Sequence, residues 1–288
     1  MTMSSPEREY KCPWCHHVST AATVNCPACG APVDVRLAVT KSGWTELPAI
    51  RDMAKIQFGQ SFCQIEGKYV PVADFKLAAG DGIYFAHHLL LWKDPKIEIT
   101  TMPMAKGWKR VFAGLPVIMT QATGPGRIAF SKDEPGELIA LPLNTGQSID
   151  VREHVFTIAT HSINYEWFNT GIYFTIQEEK SSKTVYPIGM FMDRFSAATA
   201  PGLLLLHGSG NVFVRNLKAG ESISIKPTAL LFKDQSVHMR LDLISPTGTG
   251  IFGHRCVLLE LRGPGRVAMQ SNYEPIEEPS IQASVMAT

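Results

Sequence analysis

"GDGIYFAHHLLLWKDPKIEI", residues 80–99, has two counterparts further along the chain: "GQSIDVREHVFTIATHSINY" at 146–165 and "GESISIKPTALLFKDQSVHM" at 220–239. The three align without a gap. Three residues before each opening glycine stands a leucine (Leu77, Leu143, Leu217), and three after it an isoleucine (Ile83, Ile149, Ile223). The apolar sets Phe85/Val151/Ile225, Leu90/Phe156/Leu230, Trp92/Ile158/Phe232, Ile97/Ile163/Val237 and Ile99/Tyr165/Met239 follow in the same register. They fall in pairs two residues apart, the period of one face of a β-strand. Each block therefore reads as strand, glycine turn, strand, short loop, strand.

The opening glycines are 66 and then 74 residues apart. A β-rich unit of about seventy residues used three times predicts an all-β, threefold pseudo-symmetric sandwich or barrel of three similar units. "GPGRIAFS" from Gly124, "APGLLLLHG" from Ala200 and "GPGRVAMQS" from Gly263 place Pro-Gly between apolar runs. Proline then glycine is the signature of a type II turn, so these are expected as hairpin corners. "LLLLH", ending at His207, and "HHLLLW", ending at Trp92, read as buried strands.

Ahead of the repeats, "CPWCHHVSTAATVNCPACG" at 12–30 holds two Cys-x-x-Cys pairs, Cys12 with Cys15 and Cys26 with Cys29. This spacing aims two thiolates per turn at one ion about 2.3 Å away, and two such turns complete a closed tetrahedral site. Proline presets each turn and Gly30 allows close backbone approach. The four cysteines are read as ligands of one structural zinc in a zinc ribbon. Iron in a rubredoxin-like site uses similar turns. A thioredoxin-type motif needs a βαβ unit that is not visible here. A disulfide reading fits poorly with the compartment expected below. His16 and His17 are read as solvated loop residues, because four thiolates fill the shell.

The chain has 288 residues, 45% of them apolar, with a net charge of +1. That is a globular composition, and its balance gives no field to draw in a polyanion, so nucleic acid is not expected as a main partner. No run reaches the length needed to span a bilayer, and the polar start "MTMSSPEREYK" leaves no room for a secretory segment. A cytoplasmic protein is expected. The domains read as a ribbon over 1–30, a linker over 31–49, a three-repeat core over 50–272 and a disordered acidic tail over 273–288.

"RDMAKIQFGQSFCQIEGKYVPVADFKL" from Arg51, "GWKRVFAGLPVIM" from Gly107 and the paired "GPGR" corners resemble the bacterial relatives of the "altered inheritance of mitochondria" type twenty-four family. The resemblance covers about residues 50 to 272. It implies an all-β core related to the tryptophan-operon attenuation protein, and a link to membrane organisation or stress response. The ribbon is an addition to that pattern.

No catalytic constellation emerges, and an enzyme is not expected. His87 and His88 are adjacent, and on a strand one would point in and the other out. His161 and His238 have no carboxylate pair nearby in sequence. Ser209, in "HGSGN", lacks the spacing of a nucleophile elbow. Cys63 and Cys256 read as buried strand residues, although His254 and Arg255 give Cys256 basic neighbours. The preferred function is a scaffold or adaptor docking a protein partner, with association between copies of the chain left open. The alternatives are nucleic-acid binding through ribbon and core, and a peripheral membrane contact through Trp108 and Phe112 in "MAKGWKRVFAGLPVIM".

Overall fold

The computed structural model describes residues 9–12, 17–20, 26–30, 44–46, 55–67, 69–102, 119–177, 181–245, 253–280 and 283–287. The segment holding Trp108 and Phe112 lies outside them. The described chain is built of β-strands, with short 3₁₀ turns at His87–Leu89 and Pro227–Ala229. A small hairpin comes first, β1 (Glu9–Lys11) on β2 (Val18–Thr20). Next are β3 (Thr45–Glu46), β4 (Lys55–Phe58) and β5 (Ser61–Glu66).

Three units follow. The first contains β6 (Val72–Leu77), β7 (Gly82–Ala86), β8 (Leu90–Lys93), β9 (Glu98–Thr101), β10 (Met119–Thr123) and β11 (Gly126–Ser131). The second begins with β12 (Gly136–Leu143), β13 (Ser148–Arg152), β14 (Phe156–Thr160) and β15 (Asn164–Asn169). An added hairpin, β16 (Phe174–Gln177) and β17 (Ser182–Val185), intervenes before β18 (Phe191–Ser196) and β19 (Gly202–Ser209) complete it. The third runs through β20 (Val212–Leu217), β21 (Ser222–Ile225), β22 (Leu230–Asp234), β23 (His238–Ile244), β24 (Cys256–Arg262) and β25 (Gly265–Gln270), and β26 (Ser284–Ala287) closes the chain.

All three units share one internal pairing. The sixth strand pairs antiparallel with the first and third: β11 with β6 and β8, β19 with β12 and β14, β25 with β20 and β22. The fifth pairs with the second and fourth: β10 with β7 and β9, β18 with β13 and β15, β24 with β21 and β23. In each unit the longest connection runs from fourth to fifth strand. The second strand of one unit pairs with the third strand of the next, β7 with β14 and β13 with β22. Among the described residues every sheet has two end strands, so none closes into a barrel.

The repeat glycines earn their place by backbone conformation. Gly80, Gly146 and Gly220 have φ of 86°, 87° and 80°, the left-handed region that side chains disfavour. The Pro-Gly corners differ from expectation. They carry the chain from one sheet to another, β10 to β11, β18 to β19 and β24 to β25, and are not hairpins. The Gly124–Pro125 and Gly263–Pro264 peptides are cis, and φ at Gly126 (150°) and Gly265 (138°) is far from the value near 80° of a type II turn. An aspartate braces each GPGR corner: Asp94 Oδ2 accepts from the Arg127 N–H and Asp234 Oδ2 from the Arg266 N–H, both at 2.8 Å.

Two apolar clusters fill the interior. The larger joins units one and two and reaches unit three at Leu231 and Phe232, with Phe75, Phe85, Phe130, Phe156 and Phe195 among its other rings. The smaller gathers Phe174, Met192, Leu230, Leu259 and Leu261. Leu203–Leu206 are buried as expected of an uninterrupted apolar run. The "HHLLLW" run is not. Leu90, Leu91 and Trp92 are exposed, because β8 is the end strand of its sheet. His87 and His88 sit in a 3₁₀ turn with both residues exposed, so strand alternation does not apply to them.

The boundaries also move. Residues 45–46, assigned to the linker, pair with β20, and Trp44 packs on the smaller cluster. The expected disordered tail is ordered through residue 280 and again at 283–287. β26 pairs with β16, Ile276 and Val285 pack on the smaller cluster, and Glu277 and Glu278 form ion pairs with Lys183 and Lys226. Apolar residues spaced between the acids give this segment something to bury.

Candidate metal centre

The β1–β2 hairpin sets the first cysteine. Lys11 faces Val18, and the Cys12 N–H donates to the His17 carbonyl at 2.9 Å. Cys15 and His16 lie outside the described residues. The second knuckle is a turn over residues 27–29, closed by the Gly30 N–H donating to the Cys26 carbonyl at 2.8 Å. Gly30 has φ of 74°, which a side chain would strain.

These turns bring Cys12, Cys26 and Cys29 together with all three sulfurs within 4.8 Å of one another. Cys12 Sγ and Cys29 Sγ are 3.6 Å apart. Thiolates at about 2.3 Å from a tetrahedral ion stand about 3.8 Å apart, whereas disulfide sulfurs are bonded at about 2.05 Å. The spacing fits a shared cation. Cys12 and Cys26 are buried and Cys29 is exposed, so an ion here would offset the cost of removing two thiolates from water. His17 is exposed, as a solvated loop residue is.

The family model described as mitochondrial biogenesis AIM24 matches residues 63–272. The chain belongs to the AIM24 family. A crystal structure of protein SPYM3_0169 from Streptococcus pyogenes has the same fold, with a TM-score of 0.55 at 18% identity, covering 74% of this chain and 94% of that one. No curated protein matches. The AIM24 match lies wholly within the β body, so the cysteine cluster stands outside it.

Within the AIM24 body the remaining candidates have structural neighbours. Cys63 is buried in β5, and burial, reinforced by Asp74, pushes its thiol up. Ser209 ends β19, its N–H donating to Gln270 Oε1 at 3.1 Å. His161 lies over Gly82, where a Cβ would meet its ring at 2.3 Å, and His238 is exposed on β23. Cys256 does have a cationic neighbour, but not the expected one. Lys226 Nζ is 3.4 Å from its sulfur and 2.5 Å from Glu278 Oε1, while His254 Nδ1 instead meets the Glu278 carbonyl at 2.9 Å. Sequence spacing carries no signal for a lysine thirty positions away.

His207 is a group that sequence reading passed over. It is buried at the end of the "LLLLH" run, with Nε2 at 3.2 Å from the Glu134 carbonyl. Burial, then Lys132, lowers its pKa to about 4. The cavity beside it, bounded by Leu89, Phe130, Leu138 and His207, has about 10 Å³, room for a water and not for a substrate. Among the described residues no helix is long and apolar enough to cross a membrane.

Proposed function

We propose that this AIM24-family chain is a non-catalytic scaffold, whose β body carries an N-terminal zinc ribbon that docks a protein partner. One zinc ion held by Cys12, Cys15, Cys26 and Cys29 fixes the ribbon. The observation that carries the reading is how the body pairs its buried and half-buried charges. Asp150 is shared by Lys233 and Arg194, and Asp234 holds both the side chain and the backbone N–H of Arg266. These charges brace sheet junctions and corners, and Asp234 and Arg266 also border an open groove of about 460 Å³ beside Gly146 and Gln147. The closed thiolate set offers a structural role for the metal and no open position for chemistry. Family membership points to membrane organisation as the setting.

The test is affinity purification of the tagged full chain from its native cell, followed by mass spectrometry, beside a Cys12→Ser/Cys26→Ser variant. A partner recovered at stoichiometric level with the wild type and lost with the variant is the expected result. Recovery of the chain alone, together with turnover of a small molecule, would sink the reading.

A further inference from the structure

Cys256 opens β24 with an amine at its sulfur. Lys226 Nζ stands 3.4 Å from Cys256 Sγ and 2.5 Å from Glu278 Oε1, so a thiol, an amine and a carboxylate share one point on the third unit. Sheet register builds the meeting. Ile225 and Leu259 are the last pair of β21 and β24, and Lys226 lies one step past it, on the side where β24 begins at Cys256. The C-terminal segment supplies the third group. The Arg255 N–H donates to the Pro279 carbonyl at 2.7 Å, and His254 Nδ1 meets the Glu278 carbonyl at 2.9 Å. These two backbone contacts fix Glu278 beside the amine.

The surroundings of Cys256 set it apart among the described cysteines, all of which are free thiols. Cys63 is fully buried, and burial, with Asp74 beside it, pushes its thiol up. Cys12, Cys26 and Cys29 face one another. Cys256 is only half-buried, and the Lys226 and Glu278 side chains beside it are 35% and 31% exposed, so a small oxidant can reach the sulfur. A cation next to a partly exposed sulfur is the setting in which cysteines react with peroxide. The hydrogen bond to Glu278, partly offset by burial and reinforced by Cys256, raises the pKa of Lys226. The amine therefore rests as an ammonium, with Glu278 as its nearest base.

We infer that Cys256 and Lys226 form a reversible covalent tie, a sulfur–nitrogen bond made under hydrogen peroxide and undone by small thiols. In the first step the sulfur takes one oxygen from peroxide, which is reduced to water, and the thiol is oxidised by two electrons to a sulfenic acid. Lys226 then hands its ammonium proton to Glu278, and the nitrogen lone pair attacks the sulfur. The S–N bond forms as the S–O bond breaks, and the oxygen leaves as hydroxide, taking a second proton from the nitrogen to become water. Two molecules of a small thiol reverse the tie: they become a disulfide, and the thiol of Cys256 and the amine of Lys226 return. The bond joins the ends of β21 and β24 just past their last pair and takes Lys226 away from Glu278. The C-terminal segment then keeps only its His254 and Arg255 contacts at this point. The tie stands apart from the ribbon, and its failure would leave the partner-recovery experiment untouched.

Peptide mapping by mass spectrometry of the folded full chain, treated with hydrogen peroxide and digested without reductant, tests this. Wild type is expected to yield the Lys226 and Cys256 peptides joined, lighter than their sum by two hydrogen atoms, and dithiothreitol should separate them. Lys226→Arg, which keeps the charge facing Glu278, should lose the link and leave a sulfenic acid at Cys256 that dimedone captures. Cys256→Ser should lose both the link and the capture. Cys63, lacking a cation and access, should give neither product in any of the three proteins. Hydrogen exchange over residues 273–280 should quicken in the linked wild type and stay unchanged in peroxide-treated Lys226→Arg. Oxidation of wild-type Cys256 to sulfinic or sulfonic acid with no joined peptide overturns the inference. So does a link that forms equally well in the urea-unfolded chain, since the folded geometry would then contribute nothing. Unchanged exchange in the linked protein overturns the release of the C-terminal segment.

Discussion

Asp150 and Lys233 sit directly opposite each other where the second unit meets the third, with carboxylate and ammonium 2.7 Å apart and both side chains buried. Arg194, two strands away from Lys233, reaches the other oxygen of the same carboxylate at 2.6 Å. One acid therefore stitches three strands of the seven-stranded sheet.

Removing that acid strands two cations. Asp150→Asn is expected to cost about 3–5 kcal/mol, because Lys233 is left buried without its counter-charge. Asp150→Leu combined with Lys233→Met should cost less than either change alone. Urea unfolding of the four proteins measures it, and an additive double mutant would mean the pair does not interact.

The two kinds of glycine should respond differently to alanine. A Cβ at Gly80 meets nothing within 4 Å, so Gly80→Ala carries only the left-handed backbone penalty of about 1–2 kcal/mol. At Gly124 a Cβ would lie 2.3 Å from the Ala78 carbonyl oxygen and 2.8 Å from Leu77 Cβ, so the corner must shift. Gly124→Ala should lower the melting temperature several degrees more than Gly80→Ala.

Acid should weaken the fold through His207. Its native pKa near 4 lies below the ordinary value near 6.5, so below pH 6.5 the unfolded chain takes up a proton that the native chain refuses. Stability from this group is full above pH 6.5 and is lost as pH falls toward 4, for a total of about 3 kcal/mol. His207→Gln should flatten that part of the stability profile. An unchanged slope between pH 6.5 and 4 in the variant would assign the acid sensitivity elsewhere.

Metal removal should act locally. On the proposed zinc site, Cys12→Ser is expected to lose one zinc per chain by native mass spectrometry and to unfold the proposed ribbon, whose folding would draw on metal binding. The β body, with its own two apolar clusters, should keep its calorimetric transition. A body that melts with the mutant would make ribbon and core one folding unit.

The three-unit body was legible because its signal is periodic. Ile83, Ile149 and Ile223 keep one offset from their glycines, and strands translate such offsets directly into faces. Three things were not legible, for different reasons. "HHLLLW" is as apolar as "LLLLH", but burial depends on a neighbouring strand that Leu91 lacks and Leu204 has. Pro-Gly specifies a bend without saying whether the chain returns along the same sheet, so the corners at Gly124 and Gly263 were misassigned. Asp150 with Lys233 and Lys226 with Cys256 are contacts made by sheet register, invisible to spacing. The turn over residues 27–29 is the reverse case, since a Cys-x-x-Cys spacing closed by Gly30 makes local geometry nearly a property of the sequence.

The long connection from fourth to fifth strand recurs at the same point of every unit, and in the second unit it carries a whole added hairpin while β15 and β18 still pair in register. Growth at that point leaves the strand ladder untouched. The fold therefore has three slots in which evolution can lengthen or rewrite the chain independently of its core, and relatives that serve different cells would diverge there first. For the same reason these slots are where a foreign peptide could be carried with the least disturbance.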